Sequence, residues 1–137
     1  MLAENNNMII GIGSDIVDIR RIEKSINKFG KRFINKCFTK IEIDKSESRK
    51  NKAASYAKRF AAKEAFLKAI GTGLSQEIFL KDISINNNKF GKPIIKLKGN
   101  ALKKLKELVP KNKKPTVNLT ITDENYLAYA MVIISFY

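Results

Sequence analysis

Met8-Ile9-Ile10-Gly11-Ile12-Gly13-Ser14-Asp15-Ile16-Val17-Asp18-Ile19-Arg20-Arg21-Ile22 changes its hydrophobic period part-way along. Met8 to Gly13 is a short apolar run ending at glycines, which predicts a buried strand. From Asp18 the period is helical: Ile19, Ile22, Ile26 and Phe29 fall on one stripe. Asp18 suits the N-cap and Gly30 the C-terminal stop. A strand thus feeds a helix, with the carboxylate of Asp15 at the junction. Some fifty residues on, a second acid, Glu64, lies in the longest helical stretch, about Ala54 to Ile70, which Gly71 closes. Two well-supported carboxylates brought together, with lysines nearby, suit a hard cation that also holds phosphate oxygens.

Working outward, Phe33 and Ile34 mark a short amphipathic piece, and Thr39 with Glu42 has capping-box spacing for another short helix. Asp44 to Lys52 is charged and without apolar period, so an exposed loop is expected. Ile78–Asn86 and Lys89–Leu97 read as paired strands across an Asn-rich turn, with Gly91 and Pro93 limiting the second. Leu102, Leu105, Leu108 and Val109 mark a helix after Gly99-Asn100. Pro110 to Pro115 is a basic loop. Val117, Leu119 and Ile121 alternate, Asp123-Glu124-Asn125 is expected to turn, and Tyr126 to Phe136 closes as an apolar strand. The pattern predicts an α+β fold with a small, largely antiparallel sheet packed with one long and several shorter helices. With no internal repeat and no linker, residues 1–137 read as one domain, and 1–7 as a frayed leader.

The chain has 137 residues, 44% hydrophobic and 29% charged. No apolar run reaches the roughly 18 residues that a membrane span needs. Cys37 is the single cysteine and there is no histidine. No zinc site or internal disulfide can be built, a reducing cytoplasm is the natural setting, and any general base is a carboxylate, lysine, tyrosine or water. The net charge of +14 predicts anionic partners, although abundant Lys, Asn and Ile also fit a coding bias.

Plotted at 100° per residue, the long helix shows an apolar stripe of Tyr56, Phe60 and Leu67. Beside it run Ala57, Ala61, Glu64 and Lys68, a face small enough for another backbone or a ligand to come close. By periodicity alone Glu64 and Lys68 are equally a solvated i,i+4 ion pair. Gly11 and Gly13 equally end a strand, and Gly71-Thr72-Gly73 is equally a cap and turn.

Taken together, these segments resemble the holo-acyl-carrier-protein synthases, which are 4′-phosphopantetheinyl transferases. The resemblance rests on Gly11 to Ile22, Phe38-Thr39-Lys40-Ile41-Glu42, Arg59-Phe60-Ala61-Ala62-Lys63-Glu64-Ala65 running into Lys68-Ala69-Ile70-Gly71-Thr72-Gly73, Gly91-Lys92-Pro93, and Leu119 to Glu124. It covers nearly the whole chain from Met8 to Ser135. It implies transfer of phosphopantetheine from coenzyme A to a serine of apo acyl carrier protein, for fatty acid biosynthesis, releasing adenosine 3′,5′-bisphosphate. It further implies Mg²⁺ held by Asp15 and Glu64, with Lys68 neutralising a phosphate oxygen. Gly71 and Gly73 would admit the nucleotide, and Lys50, Lys52 and Arg59 would contact its phosphates. Arg21, with Lys28 and Arg32, would dock the acidic carrier protein. Members of this length are typically homotrimers with sites at subunit interfaces, which would draw Asp15 and Glu64 from different subunits.

Many relatives have histidine where this chain has Asp123, which is left either to accept the serine proton or to cap a turn. Two other readings stand beside this one. A nucleic-acid-binding domain would use Lys103, Lys104, Lys106, Lys111, Lys113 and Lys114, but these lack interleaved aromatics. A catalytically silent carrier-protein-binding module is opposed by intact Asp15, Glu64 and Lys68.

Overall fold

The computed structural model describes residues 8–73 and 77–137, so the expected leader lies outside the described residues. The chain is α+β, and its main sheet has three antiparallel strands in the order β1 (Met8–Asp18), β5 (Leu127–Phe136), β4 (Pro115–Glu124). A separate hairpin pairs β2 (Ile83–Asn87) with β3 (Pro93–Leu97). Among the described residues five α-helices accompany them: α1 (Ile19–Phe29), α2 (Lys31–Cys37), α3 (Lys40–Glu47), α4 (Lys52–Ile70) and α5 (Gly99–Leu108). Among the described residues no helix is long and apolar enough to cross a membrane.

The first strand does not stop at the glycines. It continues through Asp15 to Asp18 because Ser14–Asp18 keep pairing with Leu127–Met131 of β5. Asp15 therefore projects from a strand rather than following one. Asp18 caps α1 as expected, accepting from Arg20 N at 2.9 Å, and Arg20 also binds it through its side chain at 2.7 and 3.0 Å. These hydrogen bonds, side chain first, hold the Asp18 carboxyl at about 2. The Arg20 guanidinium lies 4.5 Å from the centroid of Tyr126, so it is fixed on both sides.

Most of α4 is buried, and its Ala65 and Ala69 lie directly on β1. A Cβ on Gly11 would stand 2.2 Å from the carbonyl oxygen of Ala69, and one on Gly13 2.0 Å from that of Ala65. Helix and strand thus touch backbone to backbone, and only glycine permits it. On the central strand Ala128, Ala130, Val132 and Ile134 are fully buried toward the same helix. The opposite sheet face carries Ile12 and Ile16, both about three-fifths exposed, beside Tyr129, Met131 and Ile133.

Several boundaries differ from the sequence reading. The capping box at Thr39 and Glu42 forms, but α3 runs to Glu47 and α4 begins at Lys52, leaving only 48–51 of the expected loop. The second hairpin strand starts at Pro93 rather than Lys89, because Asn88 binds the backbone of Phe90 and Lys92 and closes the turn first. A 3₁₀ turn at Leu80–Asp82 precedes β2. Phe29, expected to face inward, is 51% exposed: it ends α1, beyond the reach of the core that takes Ile19 and Ile22. Asp123 is not in the turn either. It pairs with Ala128 inside β4, and the reversal falls on Asn125, at φ 53°, and Tyr126.

Candidate active site

Position 15 on β1 pairs with Ala130, whose side chain is buried against α4, so the Asp15 carboxylate rises on the helix side of the sheet. There Lys68, in the last turn of α4, gives it a hydrogen bond of 3.0 Å. Lys68 thus pairs across to the strand. Glu64 lies one turn earlier and is half-buried. Burial, and then the negative charge of Asp15, push its carboxyl above the usual range, with Lys68 pulling the other way. Both carboxylates and the lysine come together within one chain. The expectation that Asp15 and Glu64 belong to different subunits is therefore overturned: the close contact of α4 with Gly11 and Gly13 brings them side by side.

Two carboxylates close enough to disturb one another form a hard-oxygen donor set that favours a divalent cation. The donor set fits Mg²⁺, which takes one or two carboxylates and completes its shell with phosphate and water oxygens.

Further up α4 a cleft of about 570 Å³ opens between this helix, β4 and the hairpin. Arg49, Lys50, Ser55, Lys58, Arg59 and Asp123 are among its lining residues. Arg59 is 8% exposed, and its Nη1 donates to Ser55 Oγ at 2.8 Å and Ser55 O at 3.3 Å. Its Nε has no hydrogen-bond partner among the described residues. Burial lowers the pKa of this guanidinium, and no carboxylate forms an ion pair with it among the described residues. A buried, unpaired guanidinium amid three further cations is built for an anion. Arg59 stands five residues before Glu64, about 7.5 Å along the helix axis.

Not every residue singled out from sequence joins these groups. Lys50 and Arg59 line the cleft, whereas Lys52 is turned to Glu47 at 3.6 Å. Gly71 takes the left-handed cap of α4 at φ 78°, and Gly73 is at φ 58°. Among the described residues nothing lies within 4 Å of a Cβ placed at either, so their backbone angles are what calls for glycine. Asp123 faces the cleft and pairs with Lys58 at 3.7 Å. Arg21, Lys28 and Arg32 are exposed on α1 and α2, Lys28 with its ammonium 5.1 Å from the Phe29 ring, and none of them lines the cleft.

Sequence reasoning missed Arg49 and Lys58, and it missed a buried pair. Lys63, next to Glu64, is fully buried and donates to Glu42 Oε1 and Cys37 O at 2.7 Å and to Leu80 O at 3.0 Å. Glu42 also accepts from Thr39 N at 2.8 Å and Ile85 N at 3.0 Å. Burial pushes the Lys63 ammonium down while Glu42 pulls it up. The pair ties α2, α3, the 3₁₀ turn and β2 to the helix that carries Glu64. The capping box at Glu42 was the one available signal, since it fixed that carboxylate at a helix start.

Residues 11–128 match the 4′-phosphopantetheinyl transferase superfamily. A holo-[acyl-carrier-protein] synthase of Rhizobium meliloti is 60% identical over 127 residues, covering 93% of this chain and 91% of the relative. Among solved structures, the holo-[acyl-carrier-protein] synthase of Neisseria meningitidis superposes with a TM-score of 0.80 at 37% identity, covering 93% and 98% of the two chains. That of Bacillus anthracis, in complex with CoA (3′,5′-ADP), gives 0.75 at 33% identity, covering 93% and 97%. The chain belongs to the holo-acyl-carrier-protein synthases within that superfamily.

Proposed function

We infer that this chain transfers the 4′-phosphopantetheine group of coenzyme A to a serine of apo acyl carrier protein, giving holo carrier protein and adenosine 3′,5′-bisphosphate. The observation that carries this reading is the placement of Asp15, Glu64 and Lys68 at one end of α4 and a cationic cleft along the same helix. Coenzyme A has matching parts: a bridging pyrophosphate and a nucleoside carrying a further phosphate. Arg59, Lys50 and Arg49 hold the anionic nucleotide. Asp15 and Glu64 hold Mg²⁺, which supplies charge neutralisation on the pyrophosphate oxygens. Lys68, already aimed at Asp15, adds positive charge where the phosphoryl bond breaks. Without a histidine, the serine proton passes to a water or a carboxylate.

The carrier protein docks on α1 and α2. Arg21, Lys28 and Arg32 present positive charge along these helices, and the exposed Phe29 lies beside Lys28, which suits an acidic helix with an apolar stripe. Arg20 is held by Asp18 and Tyr126, so Arg21 is the freer anchor. We also assign the cytoplasm as its compartment, from the lone free cysteine, fatty acid synthesis as its pathway, and a homotrimer as its assembly. Ile12, Ile16, Met131 and Ile133 on the uncovered sheet face support the trimer. Light scattering that returned the mass of a monomer from fully active enzyme would refute the trimer.

A single-turnover assay with coenzyme A, Mg²⁺ and apo carrier protein tests the whole reading. The carrier protein should gain the mass of one phosphopantetheine with wild-type enzyme and not with Asp15→Asn. Absence of that product with wild type would overturn it.

A further inference from the structure

The cleft along α4 holds a carboxylate where an anion site has no evident use for one. Arg49, Lys50, Lys58 and Arg59 line it, and Asp123 is the single acid among its described lining residues. Asp123 is fixed there by the pairing of β4 with β5, opposite the buried Ala128, which turns its side chain to the helix side of the sheet. Lys58, one residue before Arg59, points to it at 3.7 Å, and both side chains stay partly exposed at 37% and 43%. Asp15 lies two strands away and pairs with Lys68. Asp123 thus faces the nucleotide cleft, not the group that handles the reacting phosphate.

We propose that Asp123 is a charge-balancing residue of the nucleotide cleft: by pairing with Lys58 it weakens the hold on an anionic nucleotide, so that the product leaves. This rests on the cleft being the coenzyme A site. Four cations around a nucleotide bisphosphate make a strong electrostatic trap, and both donor and product fit it. A carboxylate at the rim repels the ligand's phosphates and occupies one of the cations. At a partly solvated distance of about 6 Å its removal changes affinity by about threefold to tenfold.

Calorimetric titration of adenosine 3′,5′-bisphosphate into wild type, Asp123→Asn, Lys58→Met and the double variant tests this. Asp123→Asn should bind the bisphosphate about threefold to tenfold more tightly, with a lower product-inhibition constant and an unchanged shape of the pH profile of kcat/KM. Lys58→Met should bind more weakly, because it leaves Asp123 uncompensated, and the double variant should return to within about twofold of wild type. Equal or weaker binding by Asp123→Asn overturns the proposal, as does loss of the acidic limb of the pH profile, which would make Asp123 a general base. If wild type binds no bisphosphate, the coenzyme reading of the cleft falls as well. If wild type binds it and Arg59→Met does not, while Asp123→Asn is no tighter, only the charge-balancing role falls.

Discussion

Gly13→Ala is predicted to inactivate the enzyme without altering any polar side chain. The added Cβ would stand 2.0 Å from the carbonyl oxygen of Ala65 and 2.5 Å from the backbone nitrogen of Ala69. Both are helix backbone, so no side chain can swing aside. Ordinary contact begins at 3.4 Å, so α4 must lift from β1 by about 1.4 Å. The lift falls on the active site, because Asp15 is two residues along β1 and Glu64 precedes Ala65. A misplacement of that size costs about a hundredfold in rate, and the overpacking costs about 1–3 kcal/mol. In a chain of this length that is a fall in melting temperature of roughly 3–10 °C. Steady-state kcat/KM, a Mg²⁺ titration and thermal unfolding by circular dichroism measure all three. Gly30→Ala is the control: its glycine has φ 55° and open space around the Cβ position, so alanine there strains the backbone and lowers stability without displacing a neighbour, and metal affinity should be kept. If Gly13→Ala retains activity and Mg²⁺ affinity within about twofold, the backbone contact does not set the spacing of the carboxylates.

Two further outcomes follow from charge. Glu64 titrates above the usual carboxylate range, so between the unfolded value and the raised one the native state binds the extra proton, and stability falls as pH rises through that window. Metal-free Glu64→Gln should therefore melt no lower than wild type at neutral pH, with the difference closing on acidification, while its activity falls by about a hundredfold or more; a variant that melts lower, or turns over normally at saturating coenzyme A, would sink the assignment. Arg21→Glu should raise the KM for carrier protein about tenfold or more and leave coenzyme A affinity unchanged, and wild-type association should weaken as salt rises; equal effects on both substrates would refute docking on α1.

Much of this fold was legible because its strongest elements obey a single period. The alternation of Val117, Leu119 and Ile121 marked β4, whereas the close helix approach is made at Ala65 and Ala69 rather than on the face of Ala57 and Ala61 that looked fit for it. That Gly11 and Gly13 are the partners in that approach was not readable, since a glycine that ends a strand and one that seats a helix look alike in one dimension. Phe29 misled for a related reason. Its spacing continues the stripe of Ile19 and Ile22, but the core ends before the helix does. For Asp123, the Asp-Glu-Asn triplet reads as a turn, while the register with Ala128 keeps the first of the three in the strand.

Lys63 and Glu64 set the limit most sharply. They are adjacent, both charged and both on α4, yet one is fully buried and the other is half-exposed beside Asp15. Nothing in the helical period separates them, because a rotation of 100° decides which enters the core. What decides it is a partner far away in sequence: Glu42, held by its capping box and by Ile85 N, supplies the one carboxylate that makes a buried ammonium tolerable. Once Lys63 is drawn to Glu42, Glu64 is turned toward Asp15. A motif that reads as two charged residues in a row is, in three dimensions, a buried tether and a half-buried carboxylate beside Asp15, and the tether orients that carboxylate.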